Sequence, residues 1–230
     1  MENNLNNTQE IVSAEAYLGA NDEHEEIFLE EVKIKKKLVY RFIKRLFDFV
    51  LSLIGLIICL IPMIIIAIIV KCSSKGGAFY KQKRLGYKGK EFTLIKFRSM
   101  REDAEAQGAQ WSKGDDDPRI TKVGRFLRKT RLDELPQLIN ILLGQMSIVG
   151  PRPERKVFYE EFEKYIHGFN QRLLVKPGLT GWAQVNGGYD LKPEEKIIYD
   201  IHYMKHRSLW MDLKCIIKTV VVVFTHEGAK

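Results

Sequence analysis

Asp133 and Glu134 are adjacent acids in a stretch crowded with cations: Arg128, Lys129 and Arg131 just before them, Arg152 and Arg155 further on. In ordinary surroundings such a pair caps a helix and needs no other role. Among so many cations it has what covalent catalysis on phosphorus requires, an anionic nucleophile and enough fixed positive charge to let it approach a second anion. The spacing predicts a helix that begins at Asp133 and Glu134, tolerates Pro136 in its first turn, runs through Leu138, Ile139, Ile141 and Leu142, and stops at Gly144. At that N-terminus the helix dipole is expected to lower the pKa of Asp133 and keep it ionised, with free amides left to receive a phosphate.

Other segments carry further cations and polar residues. Lys96 and Arg98 lie in KFRSM, at the end of a short predicted strand over residues 91–100. Arg152 sits between Pro151 and Pro153 in GPRP, which stiffens its backbone and pre-aims a guanidinium fork suited to phosphate oxygens; an ordinary surface turn would read the same way. KPGLTGWAQVNG, residues 176–187, reads as a loop whose glycines allow close approach to a nucleotide or sugar, with Gln184 and Asn186 as contacts and Trp182 as a packing residue. Asp115, Asp116 and Asp117 read as a solvated turn in preference to a metal site. Val123, Phe126 and Leu127 predict a short amphipathic helix studded with cations just before the acid pair.

The elements that must hold these residues are unevenly charged. Residues 1–31 contain no Lys or Arg and nine of the 29 acids, so the rest carries 37 basic and 20 acidic residues, a formal +17. The first 32 residues read as an acidic flexible tail without a signal peptide's basic start and apolar run. A body that basic needs an anionic partner: nucleic acid, lipid head groups or phosphorylated small molecules. At 230 residues the chain has room for one catalytic core and appendages. Three cysteines without metal-like spacing read as reduced thiols, buried or facing lipid.

From Phe49 to Val70 the chain runs 22 residues without a charge, long enough to cross a bilayer. Two features oppose a simple crossing. Pro62 lies inside the run and predicts a break or kink near Ile61, and basic residues crowd both flanks, Lys33 to Arg45 and Lys71 to Lys90, leaving no good orientation for a span. Asp48 is expected to pair with Arg45 at the interface. The stretch SLWMDLKCIIKTVVVVF mixes Trp210, Ile217 and Val221 with Lys214 and Lys218, and fits an interfacial helix and a core helix equally well.

RFLRKTRLDELPQLINILLGQMSIVGPRPE, with KFRSM before it and KPGLTGWAQVNG after it, resembles the bacterial sugar transferase family, the monotopic polyprenyl-phosphate phosphoglycosyl transferases. The resemblance covers the chain from about Lys44 onward. It implies an α/β fold, mostly helical with a small sheet, in which a re-entrant membrane helix broken at Pro62 (residues 33–75 with its basic flank) carries a catalytic domain, residues 76–230, on the cytoplasmic face of the cell membrane. It also implies that Asp133 and Glu134 are the catalytic dyad and share Mg2+, the expected cofactor. Lys96, Arg98, Arg128, Arg152, Gln184, Asn186 and Asp200 are then the phosphate- or substrate-binding candidates. The implied reaction moves a sugar phosphate from a UDP-sugar to undecaprenyl phosphate through an aspartyl intermediate, releasing UMP, with other polysaccharide-assembly enzymes as possible partners. Longer members carry extra spanning helices ahead of the catalytic unit, where this sequence offers an acidic stretch. A catalytically inactive membrane scaffold is the alternative, against which the intact DELP and GPRP stretches count. A nucleic-acid partner is not expected, because no recognition motif accompanies the charge.

Overall fold

The computed structural model describes residues 26–104, 117–187 and 191–225. Residues 1–25, 105–116, 188–190 and 226–230 lie outside the described residues, and with them Asp115 and Asp116. Helix dominates, and three two-stranded sheets complete a mixed α/β architecture.

A single helix of 36 residues, α1 (Leu38–Ser73), contains the whole apolar run and is the one helix among the described residues long and apolar enough to cross a membrane. Pro62 removes one backbone donor, yet the chain stays helical on both sides, so the expected break is not an interruption of helical conformation. Both halves of α1 touch the body. In the first half, Arg45 donates from its two terminal nitrogens to the carbonyls of Ile141 and Leu142, each at 2.8 Å, and Asp48 accepts from Ser147 Oγ at 3.0 Å and Ile148 N at 2.9 Å. Arg45 and Asp48 therefore do not pair with each other as expected; each satisfies groups of the body. In the second half, Met63, Ile66, Ala67 and Val70 pack with Phe97, Leu127, Leu132 and Leu135. Between the two zones Ile57, Ile58, Leu60 and Ile61 stand exposed.

After α1 the chain forms an antiparallel hairpin, β2 (Phe79–Leu85) with β3 (Glu91–Phe97), so the strand expected at 91–100 is present and paired. Phe92 and Leu94 of β3 pack on Ile141 and Met146. The expected amphipathic helix is α2 (Lys122–Lys129), capped by Thr121, whose Oγ1 accepts from Gly124 N at 2.8 Å. Gly124 lets α2 lie on the exit of β3, since a Cβ there would run into the Ser99 carbonyl. Asp117 is buried and forked by Arg119 at 2.6 and 2.9 Å, so this member of the Asp run is an ion-paired core residue and not part of a solvated turn.

The segment 176–187 is not a loop. Gly178–Thr180 is a strand, β6, parallel to β4 (Ser147–Val149), and Trp182–Gly187 is a short helix. Gly150 and Gly178 make that pairing possible, because a Cβ on either would strike the other's backbone segment. Two long helices close the fold, Pro193–His206 and Leu209–Thr225. The latter packs on the core along one face and leaves an apolar face exposed: Met211 and Cys215 join Val149, Tyr203 and Met204, while Trp210, Leu213, Ile217, Val220 and Val221 are bare. The N-terminal segment also departs from expectation. Strand β1 (Ile27–Phe28) pairs in parallel with β5 (Ile166–His167), and Val32 is buried, so residues 26–32 belong to the body and not to a free tail.

Candidate active site

Arg131 adopts a left-handed backbone (φ 58), which few non-glycine residues do, and turns the chain sharply after α2. Leu132–Glu134 then form a single 3-10 turn, closed by Glu134 N to Arg131 O at 3.2 Å and Leu135 N to Leu132 O at 3.3 Å. The following α-helix starts only at Gln137, with Pro136 ahead of it. The acids therefore precede the helix expected to begin with them, because the Arg131 turn and Pro136 leave i→i+3 bonding as the local solution.

Both acids are buried, and their surroundings separate them. Arg152 forks onto Glu134, Nη2 to Oε1 at 2.6 Å and Nη1 to Oε2 at 3.2 Å. Burial alone would push Glu134 up; Arg152 outweighs it and holds the carboxyl below the usual carboxylate range. Asp133 has no such fork among the described residues. Burial, then the Glu134 charge beside it, pushes Asp133 above the usual range against the pull of Lys96, Arg128 and Arg152. The expectation of a dipole-lowered Asp133 is thus reversed, since desolvation outweighs a dipole that a single 3-10 turn supplies poorly.

Lys96 completes this centre. Burial lowers its pKa to about 8, with Asp133 pulling it up and Arg128, Arg84 and Arg152 pushing it down. Its ammonium lies 5.4 Å from the centre of the Tyr80 ring. Arg128 is placed by Ser99, whose Oγ accepts from Nε at 2.9 Å. Lys96, Arg128 and Arg152 are therefore gathered around the dyad.

The other candidates have different tasks. Arg98 donates to the carbonyls of Val70, Ser74 and Lys75 and to Ser74 Oγ, closing the C-terminal end of α1 instead of entering the pocket. Asp200 pairs with Arg172 at 2.7 Å, and Arg172 donates in turn to the Arg152 carbonyl at 2.9 Å, so Asp200 stands behind the site. Gln184 donates to Leu179 O at 3.0 Å and Asn186 to Trp182 O at 2.7 Å, while Lys218 donates to Asn186 Oδ1 at 2.6 Å. These contacts hold the short helix to its neighbours. Trp182 packs against the core beside Tyr203 and stacks on His202, as a packing residue should.

Three participants had no distinct signal in the sequence. Arg84, one of the cations flanking the apolar run, reaches Glu154 at 2.9 Å and helps set the Lys96 environment. Arg172 carries the backbone of Arg152. Gln137, almost fully buried, leaves its Nε2 without a partner among the described residues. It lies four residues after Asp133; a Gln next to a helix-starting Pro following two acids is the only clue the sequence gives.

A long, largely bare apolar helix held on a basic body, which also buries an acid pair among cations, is the architecture of a membrane-associated protein. The chain belongs to the bacterial sugar transferase family, whose model matches residues 39–226. It is 40% identical over 195 residues to a UDP-N-acetylgalactosamine-undecaprenyl-phosphate N-acetylgalactosaminephosphotransferase of Aeromonas hydrophila, covering 84% of this chain and 46% of the relative. It is 44% identical over 191 residues to a UDP-glucose:undecaprenyl-phosphate glucose-1-phosphate transferase of Xanthomonas campestris pv. campestris, covering 81% and 40%. It is 40% identical over 221 residues to an undecaprenyl-phosphate galactose phosphotransferase of Salmonella typhimurium, covering 90% and 45%. The chain thus spans less than half the length of these relatives.

Proposed function

We propose that this protein transfers a sugar phosphate from a UDP-sugar to undecaprenyl phosphate, with Asp133 as nucleophile, and so begins a polysaccharide repeat unit. One observation carries the assignment of Asp133: among the described residues it is the buried carboxylate with neither an ion pair nor a side-chain hydrogen bond, beside a Glu134 that Arg152 holds ionised. A desolvated, uncompensated carboxylate is costly to keep and suits a group that must react.

In the first step an Asp133 carboxylate oxygen attacks the sugar-bearing phosphorus of the UDP-sugar. The bond from that phosphorus to the bridging oxygen breaks, and UMP departs with the electron pair. An aspartyl sugar phosphate remains. In the second step a phosphate oxygen of the lipid carrier attacks the same phosphorus, the acyl phosphate bond breaks, and Asp133 regains its charge. Lys96 and Arg128 lower the cost of bringing an anionic phosphate to an anionic carboxylate. Glu134, fixed by Arg152, orients the cationic wall.

Among the described residues no three His, Cys, Asp or Glu gather, so if Mg2+ is held here Asp133 and Glu134 would supply one or two carboxylates and substrate phosphates the remainder, the sparse protein ligation that suits this cation. Once bound, the cation would neutralise phosphate oxygens during displacement.

A re-entrant placement of α1, with the body on the cytoplasmic face, is supported by the grip at both ends. Arg45 and Asp48 on one half and Val70 on the other bind the same body, while Ile57 to Ile61 stand free between them. A helix crossing to the far side would have to abandon one of these contacts.

The relatives' names include N-acetylgalactosamine, glucose and galactose, so a panel of UDP-sugars is the appropriate test. Solubilised protein with Mg2+ and undecaprenyl phosphate should release UMP from one donor, and the Asp133→Asn variant should not. Silence with every donor would point to the inactive scaffold.

A further inference from the structure

We propose that Lys176, Arg45 and Arg41 form a receptor for the phosphate of a membrane lipid, at the corner where α1 leaves the body. Gly144 ends the helix over Gln137–Leu142 in a left-handed turn (φ 77), and a Cβ built on it would lie 3.3 Å from Arg45 Nη2 and 3.6 Å from Lys176 Nζ. Two cations from distant parts of the chain therefore converge on one small residue. Arg45 is fixed there by its bonds to the Ile141 and Leu142 carbonyls.

The nearby acids are already committed. Asp212 takes Lys44 at 2.9 Å, and Asp48 is spent on Ser147 and Ile148. Lys176 has no partner among the described residues. It is half-buried, burial and then Arg45 lower its pKa, Asp48 raises it, and Arg41 and Lys44 lower it further. A half-buried ammonium facing three other cations gains from an anion.

The setting selects the anion. Phe42 and Leu46, beside Arg45 along α1, and Leu143, just before Gly144, are exposed apolar side chains, as are Ile57 to Ile61 further along α1. Phosphate on a hydrocarbon chain satisfies both features, with its charge on Lys176 and its chain along α1. A bilayer phospholipid and the polyprenyl phosphate carrier share this chemistry. The site is distinct from the dyad, and the inference does not rest on the transfer reaction.

The test is thermal unfolding of the full chain in neutral detergent, titrated with phosphatidylglycerol or with polyprenyl phosphate, for wild type, Lys176→Gln and Lys176→Arg. Lipid should raise the melting temperature of wild type and Lys176→Arg alike, and Lys176→Gln should need about fivefold more lipid for the same rise, as expected for one cation near a lipid phosphate. A response to phosphatidylglycerol assigns the site to bilayer lipid. A response confined to polyprenyl phosphate, with a raised carrier KM and an unchanged UDP-sugar KM, assigns it to the carrier. Should Lys176→Gln melt lower without lipid, Arg41→Gln, on the exposed helix surface, provides the same comparison. Identical lipid curves for wild type and the glutamine variants, or no response to either lipid, would overturn the proposal; neither outcome bears on Asp133.

Discussion

Two clusters of buried charge lie one residue's reach apart and obey opposite rules. In the pair Arg172 and Asp200 compensation dominates: the groups meet at 2.7 Å, Arg172 lies 4.9 Å from the Phe169 ring centre, and its Nη2 donates to the Arg152 carbonyl, leaving only Nη1 without a hydrogen bond among the described residues. In the pair Asp133 and Glu134 compensation stops halfway. Arg152 satisfies Glu134, while Asp133, just as buried, keeps the attraction of Lys96, Arg128 and Arg152 without a hydrogen bond among the described residues. Buried charge is tolerated where it is paired, and an unpaired one marks the place where stability has been given up for chemistry.

The largest expected effect follows from that contrast. Asp133→Asn should lower transfer at least about a thousandfold, as loss of a covalent nucleophile does. Because the folded state holds the Asp133 proton more tightly than the unfolded chain, ionisation at neutral pH costs stability. The same variant should therefore melt higher, by about 2–4 °C if about 1 kcal/mol is recovered. Asp200→Asn should do the reverse, leaving Arg172 buried and unanswered at a cost of about 3–5 kcal/mol by denaturant titration. Activity per folded molecule should fall far less than for Asp133→Asn.

Arg152→Lys removes the fork from Glu134. Losing one charge-assisted hydrogen bond, about 1.5–3 kcal/mol, should lower kcat/KM tenfold to a hundredfold. The pH profile of kcat/KM should be a bell. Its acid limb should lie above the ordinary carboxylate range, because Asp133 must be ionised to attack and burial raises its pKa. Its alkaline limb should lie near 8, where Lys96 loses its charge, and Lys96→Arg should move that limb upward. The smallest effect is expected at Asn186→Ala, which loses the Lys218 contact at an exposed site: at most about 1 kcal/mol of stability and no change in the UDP-sugar KM. A large rise in that KM would return Asn186 to the pocket.

Much of this was legible in the sequence for identifiable reasons. The apolar run, the strand at 91–97, the amphipathic helix at 122–129 and the stop at Gly144 are local patterns, and the structure follows them. Of the cations that meet the dyad, Arg128 and Arg152 were found because charge clustering survives without coordinates, and Lys96 through the resemblance carried by KFRSM. What failed was whatever depended on a partner distant in sequence. Arg98 lies two residues from Lys96 but just past the strand's end at Phe97, where alternation no longer fixes its direction, and it reaches the end of α1. Asp200 is recognisable as an acid, but that it answers Arg172 cannot be read from either residue alone. The direction of the Asp133 shift depends on burial, which the helix dipole argument ignores. Gly178 to Gly187 read as a loop because glycine is a turn signal, whereas here glycines serve the close approach of two parallel strands.

The central claim, that Asp133 attacks phosphorus, is tested most directly by mixing solubilised protein with its UDP-sugar and Mg2+ in the absence of any lipid acceptor and measuring UMP in the first turnover. A covalent route predicts a burst of up to one UMP per active protein, with the sugar phosphate's mass added at Asp133, both absent from Asp133→Asn. UMP formation that waits for polyprenyl phosphate and persists in Asp133→Asn would contradict it.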